Sequence, residues 1–60
     1  MPIRVLIVDD EPVARHVLRE ELEQQKDVDV AGEASTGLQA LESISSLRPD
    51  LVFLDLQMPN

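Results

Sequence analysis

Three aspartates are the residues of this chain whose type and position could support a reaction. Asp9 and Asp10 follow one apolar run, and Asp55 interrupts a second. A charged side chain on a buried strand is costly, so these positions require a reason beyond folding. Grouped carboxylates repel one another, and Mg²⁺ relieves the repulsion because it prefers oxygen ligands. An aspartate in such a group can accept a phosphoryl group as a nucleophile, while the cation neutralises the charge that develops.

The elements that must position these aspartates are strands and helices in alternation. The nearly continuous apolar runs before Asp9 and Asp55 are typical of parallel strands that are covered on both faces. Apolar residues at spacings of three and four indicate two amphipathic helices between the strands. The sequence predicts strands at residues 3–8, 28–34 and 51–56, and helices at about 12–25 and 36–47.

The order β-α-β-α-β predicts an α/β domain in which right-handed crossovers join parallel strands. In a doubly wound sheet the first and third strands become neighbours where the winding direction reverses, and ligands bind beyond their carboxyl ends. Asp9, Asp10 and Asp55 stand at the carboxyl ends of these two strands. We therefore expect the three side chains to converge in one crevice.

Polar residues near the helix ends have structural interpretations. Asp10 or Glu11 is predicted to cap the first helix. Thr36 and Gln39 have the spacing of a capping box at the start of the second helix. Arg48 is predicted to interact with the C-terminal dipole of that helix.

The polar side of the first helix is predicted to face solvent. Arg15 and Arg19 are expected to be solvated there. His16 lies four residues before Glu20, so a surface ion pair is favoured over a ligand or phosphohistidine role.

Composition excludes several classes of function. Twelve acidic residues against five basic ones give a net charge of -7, which disfavours direct binding of nucleic acids or anionic membranes by these residues. There is no cysteine, which is consistent with a reducing cytoplasm, and a cytoplasmic location is expected. The apolar run at residues 3–8 is too short for a signal-peptide core or a membrane span.

Two segments carry a resemblance to a known family. Residues 8–12 read VDDEP, and residues 49–59 read PDLVFLDLQMP. Together with the elements between them, they resemble the receiver domain of bacterial two-component response regulators over all sixty residues. The residues EPVAR at 11–15 and LQMP at 56–59 are most similar to regulators with an output domain of the LytTR DNA-binding type.

The resemblance implies a role for individual residues. Asp55 would be the phosphoacceptor. Asp10 would bind Mg²⁺ directly and Asp9 through water, with Asp55 and the backbone carbonyl of Gln57 as further ligands. The phosphoryl group would come from a sensor histidine kinase or a small phosphodonor, and the domain would not be a turnover enzyme. The implied fold is part of a flavodoxin-like, doubly wound parallel sheet with strand order 2-1-3.

The same resemblance implies that residues 1–60 are the N-terminal part of a receiver, with the remainder of the domain and the output domain outside this sequence. The third strand would then present an apolar edge at residues 51–54, and such an edge invites pairing with another chain. We therefore expect these sixty residues by themselves to self-associate, for example as a strand-swapped dimer.

Three other functions stay open at this point. A phosphatase with an aspartate nucleophile usually has a second aspartate two residues after the first, where this chain has Gln57. A dinucleotide-binding fold needs a glycine-rich turn after the first strand, and the acidic segment 9–12 would repel pyrophosphate. A non-catalytic alternative is a chain that cannot be phosphorylated and serves only as an assembly or interaction piece.

Overall fold

The protein forms a three-stranded parallel sheet that packs against two helices. The structure is a computed structural model and describes residues 1–55. Its elements are β1 (Ile3–Asp9), α1 (Pro12–Glu23), β2 (Val28–Ala34), α2 (Gly37–Leu47) and β3 (Leu51–Asp55). The strands lie in the order β2-β1-β3, and both pairs are parallel. The predicted α/β class and the predicted 2-1-3 order are confirmed.

The element boundaries differ from the prediction by one or two residues. β1 continues through Asp9, so this aspartate is the last residue of the strand. α1 ends at Glu23, two residues earlier than predicted. α2 begins at Gly37, and Thr36 is its N-cap, accepting a hydrogen bond from the Gln39 amide as predicted. The predicted last residue of the third strand, Leu56, lies outside the described residues.

The core is centred on β1 because this strand has a neighbour on each side and a helix on each face. Its Val5, Leu6, Ile7 and Val8 side chains are at most 1% exposed. Leu6 and Val8 form a cluster on the α2 side with the smaller residues Ala34 and Ala40, and Leu47 packs against it. By contrast, α1 has no fully buried residue.

A β-bulge interrupts the pairing of β1 with β2. Val5 pairs with Val30 and Leu6 pairs with Gly32, so Ala31 is an additional residue on β2. Side chains alternate between the two faces of a strand, and one additional residue reverses that alternation beyond it. As a result, Ala34 lies on the α2 face and Glu33 lies on the α1 face.

Gly32 allows α2 to lie close to the sheet. A Cβ atom at this position would be 2.7 Å from Cδ1 of Leu47 and 3.7 Å from Cδ1 of Leu6. The first of these distances is too short for two carbon atoms, so any larger residue would require Leu47 to move. The contact explains why a residue without a side chain occupies an otherwise ordinary strand position.

The C-terminus of α2 is capped by the side chain of Arg4, which the sequence pattern does not predict; the interaction of Arg48 with the helix dipole stays a prediction. Nη1 of Arg4 donates to the carbonyl oxygens of Leu47 (2.5 Å) and Arg48 (3.2 Å). Arg48 is itself the C-cap, in a left-handed conformation with φ 49°. The Arg4 backbone also exchanges two hydrogen bonds with Asp50 at 2.9 and 2.8 Å. One residue of β1 therefore fixes both the end of α2 and the entry into β3.

β3 is exposed along its whole length in the described part of the chain. Its apolar side chains are from 37% to 64% exposed, namely Leu51, Val52, Phe53 and Leu54. Within residues 1–55 the strand pairs only with β1. The apolar edge that the sequence predicts is therefore present. Neither helix in this range is long and apolar enough to cross a membrane.

Candidate functional site

The sheet register places Asp9 and Asp55 side by side. Residues Val5–Asp9 of β1 pair one by one with Leu51–Asp55 of β3, so the two aspartates are direct partners at the carboxyl ends of neighbouring strands. Neighbouring strands lie about 4.8 Å apart. Asp9 is only 4% exposed, whereas Asp55 is exposed. The pair thus combines a buried carboxylate with one that a reactant can reach.

The turn after β1 holds Asp9 in place. Its Oδ1 atom accepts a hydrogen bond from the backbone N–H of Glu11 at 2.9 Å. The N-cap of α1 is Glu11, whose side chain makes no capping hydrogen bond, and Pro12 occupies the first turn. Glu11 is therefore the N-cap residue, one of the two predicted positions, but its side chain does not supply the capping hydrogen bond. Asp9 supplies the oxygen that orders the turn, and its other carboxylate oxygen does not take part in that bond.

The predicted trio of aspartates is only partly assembled in the described residues. Asp10 is exposed and lies in the bend directly after β1. No group of three acidic or histidine side chains within residues 1–55 is close enough to hold a metal ion together. Gln57, the fourth predicted ligand, lies outside the described residues.

The donor chemistry of the Asp9–Asp55 pair nevertheless fits Mg²⁺. This ion takes one or two carboxylates and keeps several waters, so it does not require a complete cage of protein ligands. Two adjacent carboxylates, one of them exposed, match that requirement. Asp10 is next to Asp9 in the chain and is the nearest additional carboxylate in sequence.

A groove between α1 and β3 borders the carboxylate pair. Its volume is about 510 Å³, and its lining is mostly apolar, formed by Asp9, Ala14, Val17, Leu18, Glu21, Phe53, Leu54 and Asp55. The two aspartates are thus at the border between an apolar surface and solvent.

Arg15 and Arg19 are not simply solvated, which corrects the prediction for this side of the helix. Nε of Arg15 donates to Oε1 of Glu33 at 2.9 Å, and Nη1 of Arg19 donates to the other oxygen of the same carboxylate. Arg19 also pairs with Glu23 at 3.3 Å. The hydrogen bond from Arg19, with that from Arg15, holds the pKa of Glu33 below its ordinary value against the opposing effect of desolvation. We call these four residues the arginine–glutamate network.

Arg15 connects this network to the candidate site. Its Nη1 atom donates to the backbone carbonyl oxygen of Asp9 at 2.9 Å. The sequence contained a signal for the network, because Glu33 is a charged residue in a mostly apolar strand and the two arginines are four residues apart. The bulge at Ala31 concealed this signal, because it changes the face of the sheet on which Glu33 lies. On the same helix, the predicted pairing of His16 with Glu20 on the exposed surface is confirmed, with Nε2 of His16 2.6 Å from Oε1 of Glu20.

Comparison with known proteins gives the class to which this fold and site belong. A family model of the response regulator receiver domain matches residues 5–60. The chain therefore belongs to the response regulator receiver domain family of two-component systems. The predicted family is confirmed by this match.

Two individual relatives match nearly all of this chain. The chain is 51% identical over 57 residues to the transcriptional regulatory protein BtsR of Escherichia coli (strain K12), covering 95% of this chain and 24% of that protein. It is 52% identical over 58 residues to protein-glutamate methylesterase/protein-glutamine glutaminase 5 of Myxococcus xanthus (strain DK1622), covering 97% of this chain and 17% of that protein. The chain thus spans a quarter or less of these relatives.

A solved structure has the same fold. The response regulator domain of Thermotoga maritima CheB superposes with a TM-score of 0.92 at 43% identity, and the match covers all of this chain and 45% of that one. The flavodoxin-like assignment is confirmed by this likeness. Relatives named as a transcriptional regulator and as a methylesterase match almost equally well, so the similarity follows the receiver and not the output domain.

Proposed function

We propose that this chain is the phosphoacceptor part of a receiver domain, in which Asp55 accepts a phosphoryl group with the help of Mg²⁺. The observation that carries the proposal is the pairing of Asp9 with Asp55 at the carboxyl ends of neighbouring strands. Asp55 is exposed and suits the acceptor, whereas the buried Asp9 suits a fixed metal ligand, directly or through water. Asp10 and the carbonyl of Gln57 complete the proposed ligand set.

The proposed reaction is phosphoryl transfer to a carboxylate. An oxygen of the Asp55 carboxylate forms a bond to phosphorus as the bond from phosphorus to the donor nitrogen breaks, which leaves an acyl phosphate on Asp55. The released donor nitrogen takes its proton from solvent, because the carboxylate has none to give. Bound Mg²⁺ would neutralise the charge that develops on the phosphoryl oxygens. In this role the chain accepts one group per activation and is not a turnover enzyme.

The partners follow from the family. A sensor histidine kinase, or a small phosphodonor, supplies the phosphoryl group in a cytoplasmic two-component system. We further propose that the output is transcriptional, supported by the 51% identity to BtsR, which is named as a transcriptional regulator. The LytTR type of output domain is proposed only from the resemblance of residues 11–15 and 56–59. DNA binding would be a property of that output domain, because residues 1–60 carry a net charge of -7.

We propose that residues 1–60 are the N-terminal part of a receiver that continues beyond them. The exposed apolar side chains of β3 support this, as does the 45% share of the matched CheB chain. Taken alone, the sixty residues should associate through β3. Size-exclusion chromatography with circular dichroism checks this expectation, and a well-folded monomer would contradict it.

The test of phosphorylation uses a complete receiver that contains residues 1–60. Incubation with Mg²⁺ and acetyl phosphate should add the mass of one phosphoryl group, and chelation of the metal should prevent the addition. Asp55→Asn should abolish labelling. Glu42→Gln is the matched control, since it removes one exposed carboxylate of α2 that forms no ion pair in the described residues and should leave labelling intact.

A second candidate function is supported by the exposed edge of β3, which suits a purely structural assembly role. The two candidates differ in their response to the metal. Titration with Mg²⁺ should shift the side-chain carboxyl NMR signals of Asp9 and Asp55 in the phosphoacceptor. A folded domain with no carboxyl shifts and no labelling would favour the assembly role.

A further inference from the structure

One side chain connects the candidate site to the arginine–glutamate network. Arg15 donates from Nη1 to the Asp9 carbonyl and from Nε to Glu33, both at 2.9 Å. The Arg15 and Glu33 side chains are only 21% and 26% exposed. The Arg15 guanidinium thereby joins the last residue of β1 to β2 from its place on α1.

We propose that Arg15 is a positioning residue that, held by Glu33, orients Asp9 for metal binding. The inference rests on the proposed function, because it assigns a role toward the same Mg²⁺ site. Asp9 ends β1, and its carboxylate is fixed on one side by the hydrogen bond from the Glu11 amide. The hydrogen bond from Arg15 fixes the other end of the same residue, its carbonyl group. Together they fix both the side chain and the carbonyl group of Asp9, the strand partner of Asp55.

The charge balance of the arginine–glutamate network explains why the Arg15 guanidinium can lie so close to the proposed Mg²⁺ site. Arg15 and Arg19 carry two positive charges, and their partners Glu23 and Glu33 carry two negative ones. The network is therefore neutral as a whole and does not oppose binding of a divalent ion. The planar guanidinium of Arg15 can donate to Asp9 and Glu33 at the same time. The negative charge of Glu33 offsets the electrostatic penalty of placing this guanidinium beside the aspartates.

The positioning role and a purely electrostatic role predict opposite effects of one substitution. If Arg15 acted only through its charge, Arg15→Gln would remove a repulsive cation and strengthen Mg²⁺ binding. If Arg15 positions Asp9, the same change should weaken Mg²⁺ binding about tenfold, which is the scale of one hydrogen bond to a charged group. The direction of the change therefore separates the two explanations.

Two further variants complete the design. Arg19→Gln removes an equal positive charge from the same network but no hydrogen bond to Asp9, so Mg²⁺ affinity should stay within about twofold of the wild type. Arg15→Lys keeps the charge but loses the two-pronged geometry, so it should also weaken binding. Because Arg15→Lys is the milder change, its Mg²⁺ affinity decides the question if Arg15→Gln does not fold.

The experiment measures Mg²⁺ affinity by calorimetry in the complete receiver that contains residues 1–60. Phosphorylation by acetyl phosphate should slow in Arg15→Gln at low Mg²⁺ and recover at saturating Mg²⁺, since the acceptor Asp55 is intact. Unchanged or tighter binding in both Arg15 variants would overturn the inference, as would an equal loss in Arg19→Gln. If the wild type itself binds no Mg²⁺, the proposed function fails as well; if it binds and the Arg15 variants match it, only the positioning role fails.

Discussion

Replacing Asp55 with asparagine should make the metal-free protein more stable. Asp55 and Asp9 are direct partners across two neighbouring strands, so two negative charges are held together by the backbone register. Folding brings these charges together, and the unfolded chain relaxes the repulsion. Asparagine has nearly the shape of aspartate and removes one of the charges.

The size of the effect follows from the strand spacing. Two unit charges about 4.8 Å apart repel by about 3.5 kcal/mol at an effective dielectric constant of about 20, and by about 0.9 kcal/mol in bulk water. Asp9 is 4% exposed and Asp55 is exposed, so the pair lies between these two environments. Because Asp55 is exposed, the value in water is the closer one, and we expect Asp55→Asn to raise the free energy of unfolding by about 1 kcal/mol.

Urea unfolding of the complete receiver, without and with Mg²⁺, measures this effect. Glu42→Gln changes the net charge equally but removes an exposed carboxylate on α2, and it should alter stability by less than about 0.5 kcal/mol. Asp9→Asn keeps the Oδ1 acceptor for the Glu11 amide and should resemble Asp55→Asn. Saturating Mg²⁺ should reduce or reverse the advantage of both variants, because the cation stabilises the wild type by binding to the folded state.

The reasoning would be refuted by a metal-free Asp55→Asn protein that is no more stable than Glu42→Gln. That result would mean that the two carboxylates do not repel across the β1–β3 register. An advantage that persists unchanged in saturating Mg²⁺ would instead contradict the proposed metal site, while the repulsion itself would stand.

The remaining predictions concern the scaffold. The pKa of Glu33 is lowered in the folded state, so its stabilising contribution is present above the ordinary glutamate pKa of about 4.3 and is lost as the pH decreases through the lower folded value. Urea unfolding from neutral pH down to below the ordinary glutamate pKa should show a smaller loss of stability in Glu33→Gln than in the wild type, and an identical loss would contradict the pairing. Gly32→Ala should cost about 1 kcal/mol, because its Cβ would be 2.7 Å from Cδ1 of Leu47 and this side-chain end must rotate away, and thermal unfolding should show a smaller cost in a Leu47→Ala background. Arg48→Gly should stabilise the protein by about 0.5–1 kcal/mol because it relieves a left-handed conformation, and a lower melting temperature would count against this.

The elements of the fold could be predicted from the sequence because each has a strong local signal. The apolar runs of β1 and β3 and the helical periodicity between them are read over a few residues. The neighbouring placement of the first and third strands follows from the winding rule for parallel sheets. The meeting of Asp9 with Asp55 required only these two inferences and the correct strand ends.

The arginines could not be placed by the same reasoning because their partners are distant in the chain. The helical periodicity assigns Arg15 to the polar side of α1, yet its partner Glu33 lies 18 residues away in the chain. Arg4 stands in an apolar strand, and its guanidinium caps a helix that ends 43 residues later at Leu47. Such contacts depend on tertiary geometry, which propensities and spacing do not encode.

The additional residue on β2 has a consequence for how this domain tolerates changes in length. If β2 kept Ala31 but paired with β1 without the bulge, Glu33 would pair with Val8 and face the apolar α2 layer, and Arg15 and Arg19 would lose their shared carboxylate. Deletion of Ala31 would remove the bulge but leave Glu33 opposite Ile7, so the domain should tolerate the loss of this residue better than a shift of β2 by one position. The pairing register after Val30 is therefore as much a determinant of the Asp9 environment as the identity of any side chain.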